Sequence, residues 1–264
     1  MFSRIKILAA LLALTVFLGC NEKKKDEEGT ESEIKIENTN VKPKAPRPEK
    51  AAATNFTGDG VWVSKKYTDK LLATKSPKKS QDATPITMMI LPNALHKDAT
   101  VVLEFHEGGT GKLVKKNNGY EIQSKKEDGP SHAFQYVKGG LKTKNDEFIK
   151  LKFKGNKNDY KVAEQLLFAG KYDLDGKQVE FTPNGKVTGL DSFSYYSVLI
   201  DYYDAGMQVD QIRLGKSYED SELYGFKFKN DKLLIYELKC TDGDGKYCNV
   251  VKYGKRLYKL EKKN

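Results

Sequence analysis

Apolar and polar residues alternate with a period of two along much of the chain. Val101, Leu103 and Phe105 fall on one side of an extended backbone, opposite Val102, Glu104 and His106. Ile149, Leu151 and Phe153 oppose Lys150, Lys152 and Lys154 in the same way, and Tyr224, Phe226 and Phe228 alternate with Gly225 and Lys227. This period sets one face against a core and the other in water, so each stretch predicts a β-strand. Turn signals lie between them at Gly108-Gly109, Asn117-Asn118-Gly119, Gly139-Gly140, Asp175-Gly176, Asn184-Gly185 and Asn230-Asp231. Asn-Gly and Asp-Gly reach the positive φ values that tight hairpins need. The pattern predicts about ten to twelve successive strands with short links, which makes neighbours antiparallel. A meander this long hides its edges most simply by closing into a barrel, with a β-sandwich as the alternative. One short helix is expected from Ser64 to about Ala73, capped by Ser64, with Tyr67 and Leu71 one turn apart.

The N-terminus follows other rules. Arg4 and Lys6 precede a charge-free run from Ile7 to Gly19. That run is shorter than the roughly 20 apolar residues a membrane-spanning helix requires. Its length and basic flank fit a secretory signal peptide. Phe17-Leu18-Gly19-Cys20 resembles the lipobox of bacterial lipoproteins, with Phe17 where that family usually has Leu. The resemblance implies that residues 1–19 are removed and that Cys20 is lipidated. One acyl chain binds a bilayer marginally, whereas two or three hold firmly, at about 0.8 kcal/mol per buried methylene. Asn21 lacks the aspartate that some bacteria use to retain lipoproteins in the inner membrane, so the outer membrane is the expected location. From Cys20 to residue 55 the chain is charged, carries Pro43, Pro46 and Pro48, and has few apolar residues. Such composition predicts a disordered linker. The domain expected to follow is all-β and occupies residues 56–264.

Charge narrows the partners. The chain has 46 basic and 36 acidic residues. The excess is spread as lysines alternating with apolar residues, and only Arg213 and Arg256 lie beyond residue 55. A nucleic-acid face would cluster its cations and favour arginine, so nucleic acid is not an expected partner. A solvated lysine-rich face, or attraction to anionic lipid or polysaccharide, fits better. Cys240 and Cys248 flank Thr241-Asp242-Gly243-Asp244-Gly245-Lys246-Tyr247. In an oxidising compartment a pair this close reads as a disulfide closing a hairpin.

Gly60-Val61-Trp62 resembles the Gly-x-Trp motif that opens lipocalins, and Asp201-Tyr202 with Arg213 resembles that family's later motifs. Trp62 and Asp201 stand farther apart than in compact lipocalins, and the strands are too numerous. The resemblance implies a lipocalin-like barrel in which Trp62 plugs the closed end and Arg213 packs over it. It also implies a small apolar or amphipathic ligand inside. Tyr196, Val198, Ile200 and Tyr202 share one face of an apolar stretch and are the candidate ligand-lining residues. Core packing is the other account of that stretch.

Catalytic chemistry has little support. His96, His106 and His132 form no paired metal-ligand motif, and no nucleophile-elbow serine is present. Glu104 and His106 share a strand face and could be drawn as an acid–base pair, yet two polar residues on a solvated face explain them better. Asp173-Leu174-Asp175-Gly176 and Asp242-Gly243-Asp244-Gly245 begin like calcium loops but lack the later ligands. No cofactor, metal or enzymatic activity is expected. Two functions lead: a membrane-anchored lipocalin-like binder of a small ligand, or an envelope structural or interaction lipoprotein contacting polysaccharide or protein. A hydrolase with a site built from scattered carboxylates is a third, weaker reading.

Overall fold

The structure, a computed structural model, describes residues 56–152, 161–204, 206–243 and 248–263. The signal run, Cys20, the linker and Phe153 lie outside the described residues. Residues Ala53–Asn264 form one compact unit.

The fold is all-β, built on an antiparallel meander that closes into an eight-stranded barrel. Its strands are β1 (Gly60–Ser64), β2 (Ile86–Leu91), β3 (Asp98–Leu103), β4 (Glu107–Lys116), β5 (Gly119–Ser124), β6 (His132–Val137), β7 (Gly140–Lys142) and β8 (Glu147–Leu151). Each pairs with the next, and β8 returns to β1 with Val61 opposite Leu151 and Ser64 opposite Phe148. The barrel thus closes within residues 60–151, well short of the C-terminus.

The strands left over build a second sheet. They are β9 (Gly170–Leu174), β10 (Lys177–Phe181), β11 (Val187–Thr188), β12 (Tyr195–Val198), β13 (Gln211–Gly215), β14 (Ser221–Lys229), β15 (Lys232–Gly243) and β16 (Cys248–Lys262). Their order is β11-β10-β9-β16-β15-β14-β13-β12. A bridge between Lys186 and Tyr195 brings the two edges of this sheet together. That contact hides the backbone groups an open edge would expose.

Two short helices join β1 to β2: α1 (Lys65–Thr74) and α2 (Pro77–Ser80). Ser64 caps α1 by accepting the Tyr67 amide at 3.0 Å, as the sequence predicts. Tyr67 and Leu71, one turn apart, are both fully buried. A single π-turn, Glu164–Phe168, precedes β9.

Residue parity on β1 explains how the two sheets meet. Trp62 points into the barrel with Met89, Leu113 and Phe148. Val61 and Val63 point the other way, joining Met88, Val102, Tyr67 and the second sheet's core of Tyr172, Phe181, Tyr196 and Phe226. A strand with both faces covered reads as continuously apolar, and β1 with β2 does. Asp210 fastens the junction from the second sheet's side. Its carboxylate accepts from the Ser76 hydroxyl at 2.6 Å and the Lys78 amide at 2.9 Å.

The turns fall at five of the six predicted places. The exception is Gly108-Gly109, which lies inside β4. The real turn uses Glu104 and Phe105, both at positive φ. Gly108 is needed in the strand instead, where an added Cβ would lie 3.0 Å from the Val101 carbonyl of β3.

Candidate functional site

The barrel interior is the first place to look for a ligand. Trp62 is buried, and its indole N–H donates to the Gly58 carbonyl at 2.9 Å. At that end of the barrel Phe56 packs edge-on against Tyr120 with ring centroids 5.0 Å apart, and against Tyr136 at 5.6 Å. Deeper inside, Met89, Ala99, Leu113 and Leu141 are all 0% exposed. A water-sized sphere touches none of these four side chains, so no void that could admit water lies against them. A ligand cavity needs several hundred Å³. The space around these residues is taken by neighbouring side chains.

Arg213 does not pack over Trp62. It lies on β13 in the second sheet, with its guanidinium 5.6 Å from the Tyr218 ring centre. The cation over Trp62 is Lys150 of β8, with Nζ 5.7 Å from the indole. The barrel closes with β8, before residue 213 is reached, which places Arg213 in the other sheet.

The four candidate lining residues also belong to the second sheet. Tyr196 and Val198 lie on β12, and Ile200 and Tyr202 follow it in irregular chain. Tyr196 is 0% exposed, donates its hydroxyl to the Thr182 carbonyl at 2.6 Å, and packs tilted against Phe168 and edge-on against Phe181. The Tyr202 hydroxyl accepts the Gln211 amide at 3.0 Å. Burial raises both phenol pKa values. Tyr196 and Val198 belong to the packed core around Phe168 of the π-turn, and Ile200 packs half-buried against it. Tyr202 is buried outside that cluster, with Lys78 Nζ 5.8 Å from its ring.

The histidines are dispersed. His106 is joined to Asp201, its Nδ1 lying 2.9 Å from Oδ2, which links the β3–β4 turn to the second sheet. That hydrogen bond raises the His106 pKa above its usual value. Beside it the Tyr203 hydroxyl donates to Glu104. Glu104 and His106 therefore pair with Tyr203 and Asp201 across the seam, and not with each other. His132 is half-buried, which lowers its pKa, and His96 occupies a turn at positive φ.

Asp173 and Asp175 sit in the β9–β10 hairpin. Asp173 accepts the Gly176 amide at 2.9 Å and pairs with Lys263 at 3.0 Å, which is turn chemistry. Among the described residues no group of three or more His, Cys, Asp or Glu is arranged to hold a metal. Cys240 and Cys248 form the disulfide, with Cα atoms 5.8 Å apart at the β15–β16 tip.

Two polar residues of structural weight carry no motif. Lys161 and Glu164 are almost fully buried, with 3.8 Å between Nζ and Oε1. Glu164 accepts the Val198 amide at 2.8 Å, which ties the π-turn to β12. An i,i+3 Lys–Glu pair is common on solvated helices, so its burial leaves no sequence signal.

No family model, curated protein or solved structure matches the chain, which leaves this geometry as the ground for its function.

Proposed function

We propose that this chain is a non-catalytic lipoprotein of the bacterial envelope, anchored through acyl chains on Cys20, with the outer membrane the better-fitting location. Its barrel serves as a packed scaffold, and its lysine-rich outer surface contacts an envelope polymer or protein. The observation that carries this reading is the complete burial of Met89, Ala99, Leu113 and Leu141. A barrel whose interior is filled by its own side chains gains rigidity and offers its outside. The chain's excess of lysine is consistent with a partner of opposite charge. Among the described residues no helix is long and apolar enough to cross a membrane.

Fractionation of cells expressing the wild-type chain and Cys20→Ala tests the anchor. The wild type is expected to stay with membranes through a high-salt wash, and the variant to be released. Retention of Cys20→Ala after the wash overturns the lipid anchor.

A further inference from the structure

The barrel's outer wall carries an open-sided groove of about 370 Å³, where the end of the β4–β5 hairpin meets β6 and the β7–β8 loop. Its shape follows from register. Lys116 pairs with Gly119, and Gln135 with Lys142. Gly119 lies between these two pairs on the outer face and has no side chain, so the row has a gap there. No other residue fits: φ is +151°, and a Cβ would lie 2.4 Å from the Phe134 carbonyl. Lys116, Lys142 and Lys144 border the gap, with the amides of Asn118 and Gln135 between them.

A second cleft shares Lys142, Thr143 and Lys144 and adds Lys65, Lys66 and Asn145 together with the carboxylates of Asp69, Asp146 and Glu147. The loop between the two clefts is firmly held. Asp146 accepts from the Ser64 hydroxyl and the Glu147 amide, and Thr143 bonds both the amide and the carbonyl of Asp146. Asp146 is engaged in these bonds and Asp69 pairs with Lys65. Among the described residues the carboxylate contacts of Lys116 and Lys142 are long ones, to Glu121 at 3.5 Å and to Glu147 at 3.8 Å. Lys144 has no carboxylate within salt-bridge distance among the described residues.

We propose that this pair of clefts, joined at Lys142 and Lys144 and floored by Gly119, binds an extended anionic polysaccharide. Two clefts in series fit a polymer better than a single ion. Lysine ammoniums suit carboxylate or sulfate groups as point charges, and the Asn118 and Gln135 amides suit sugar hydroxyls. The lining holds no arginine fork, and its two aromatic residues are engaged with each other. Phe134 is buried and the half-buried Tyr120 stacks on it with ring centroids 5.7 Å apart, which leaves no free platform of the kind that favours nucleic acid. This inference rests on the outer-surface reading above and names its partner.

The test is calorimetric titration of the mature lipidated chain, in nonionic detergent, with a hexameric oligogalacturonate and with neutral maltohexaose. The acidic hexamer is expected to bind and the neutral one not. Lys116→Ala/Lys142→Ala/Lys144→Ala should weaken binding at least about tenfold, because three contacting charges are lost. Lys216→Ala/Lys229→Ala/Lys255→Ala removes equal charge from exposed sites on the second sheet and should change it less than about threefold. All six positions are exposed, and an unchanged melting temperature shows that each variant folds. Absence of binding, equal loss in both triple variants, or tighter binding of a single-stranded DNA hexamer or of phosphatidylglycerol vesicles overturns the proposal. None of these results bears on the Cys20 fractionation, so the anchor reading can stand when the glycan site falls.

Discussion

Tyr136 occupies the space that a side chain at Gly58 would need: a Cβ there would lie 1.1 Å from the Tyr136 hydroxyl. The same glycine offers its carbonyl to the Trp62 indole. One residue thus positions both aromatic side chains at the barrel end where Phe56 enters. Gly58→Ala is expected to destabilise by about 1–3 kcal/mol through overpacking. The double variant Gly58→Ala/Tyr136→Ala should fall short of the sum of the single effects, because the clash is removed with the ring. Additive denaturation midpoints would show that the two residues do not meet.

Trp62 is the only tryptophan in the chain. Its fluorescence should be blue-shifted in the native state and move to the red on unfolding. Trp62→Ala should cost about 3–5 kcal/mol, as for other aromatic residues removed from a core. Native emission typical of a water-exposed indole would contradict its placement inside the barrel.

Strands and turns are largely legible in the sequence, and their pairing is not. Alternation at Val101–Leu103 and at Tyr224–Phe228 marks strands, and Asn-Gly and Asp-Gly mark hairpins, because both are local properties of the backbone. Partner choice is not local. Nothing in the pattern tells that β8 returns to β1, leaving Arg213 in a second sheet and Asp201 in the irregular chain between β12 and β13. Val61, Trp62 and Val63 are all apolar, which signals a strand covered on both faces but not what covers each. The apolar face of Tyr196 and Tyr202 has the same ambiguity, since core packing and ligand lining call for the same residues. Glu104 and Phe105 were hidden as a turn because residues other than glycine, asparagine and aspartate seldom take positive φ.

Glu164 holds the π-turn against β12 and neutralises Lys161 in a buried setting. Glu164→Ala should lower stability by about 1–3 kcal/mol, because it leaves the buried Val198 amide without its acceptor and removes one partner of Lys161. Glu164→Gln retains an acceptor for the Val198 amide and should fall between the wild type and Glu164→Ala. Equal melting temperatures for all three chains would exclude a structural role for the pair.

The His106–Asp201 contact makes the seam between the two sheets sensitive to pH. Asp201 raises the His106 pKa, with smaller contributions from Asp204 and Glu107. A raised folded pKa stabilises fully below the unfolded value of 6.5 and loses that effect as pH rises through the folded value. Wild type should therefore exceed His106→Gln in stability below pH 6.5, and the difference should shrink toward pH 8. A difference that grows with pH reverses the sign and removes the ion pair from the account.

The disulfide closes a short loop, with a sequence separation of 8. Chain-entropy arithmetic puts its contribution at roughly 2.5 kcal/mol. Cys240→Ala should lose about that much and remain folded. Peptide mapping without reduction should recover the two cysteines linked, and recovery of both alkylated would refute the bond.

The most direct test of the packed, lipid-anchored scaffold is the mass of the chain purified from its membrane, measured under native and then denaturing conditions. The account predicts one value in both: the polypeptide beginning at Cys20 plus its acyl groups. A native mass that exceeds the denatured one by a small apolar molecule, released on unfolding, would contradict a barrel filled by its own side chains.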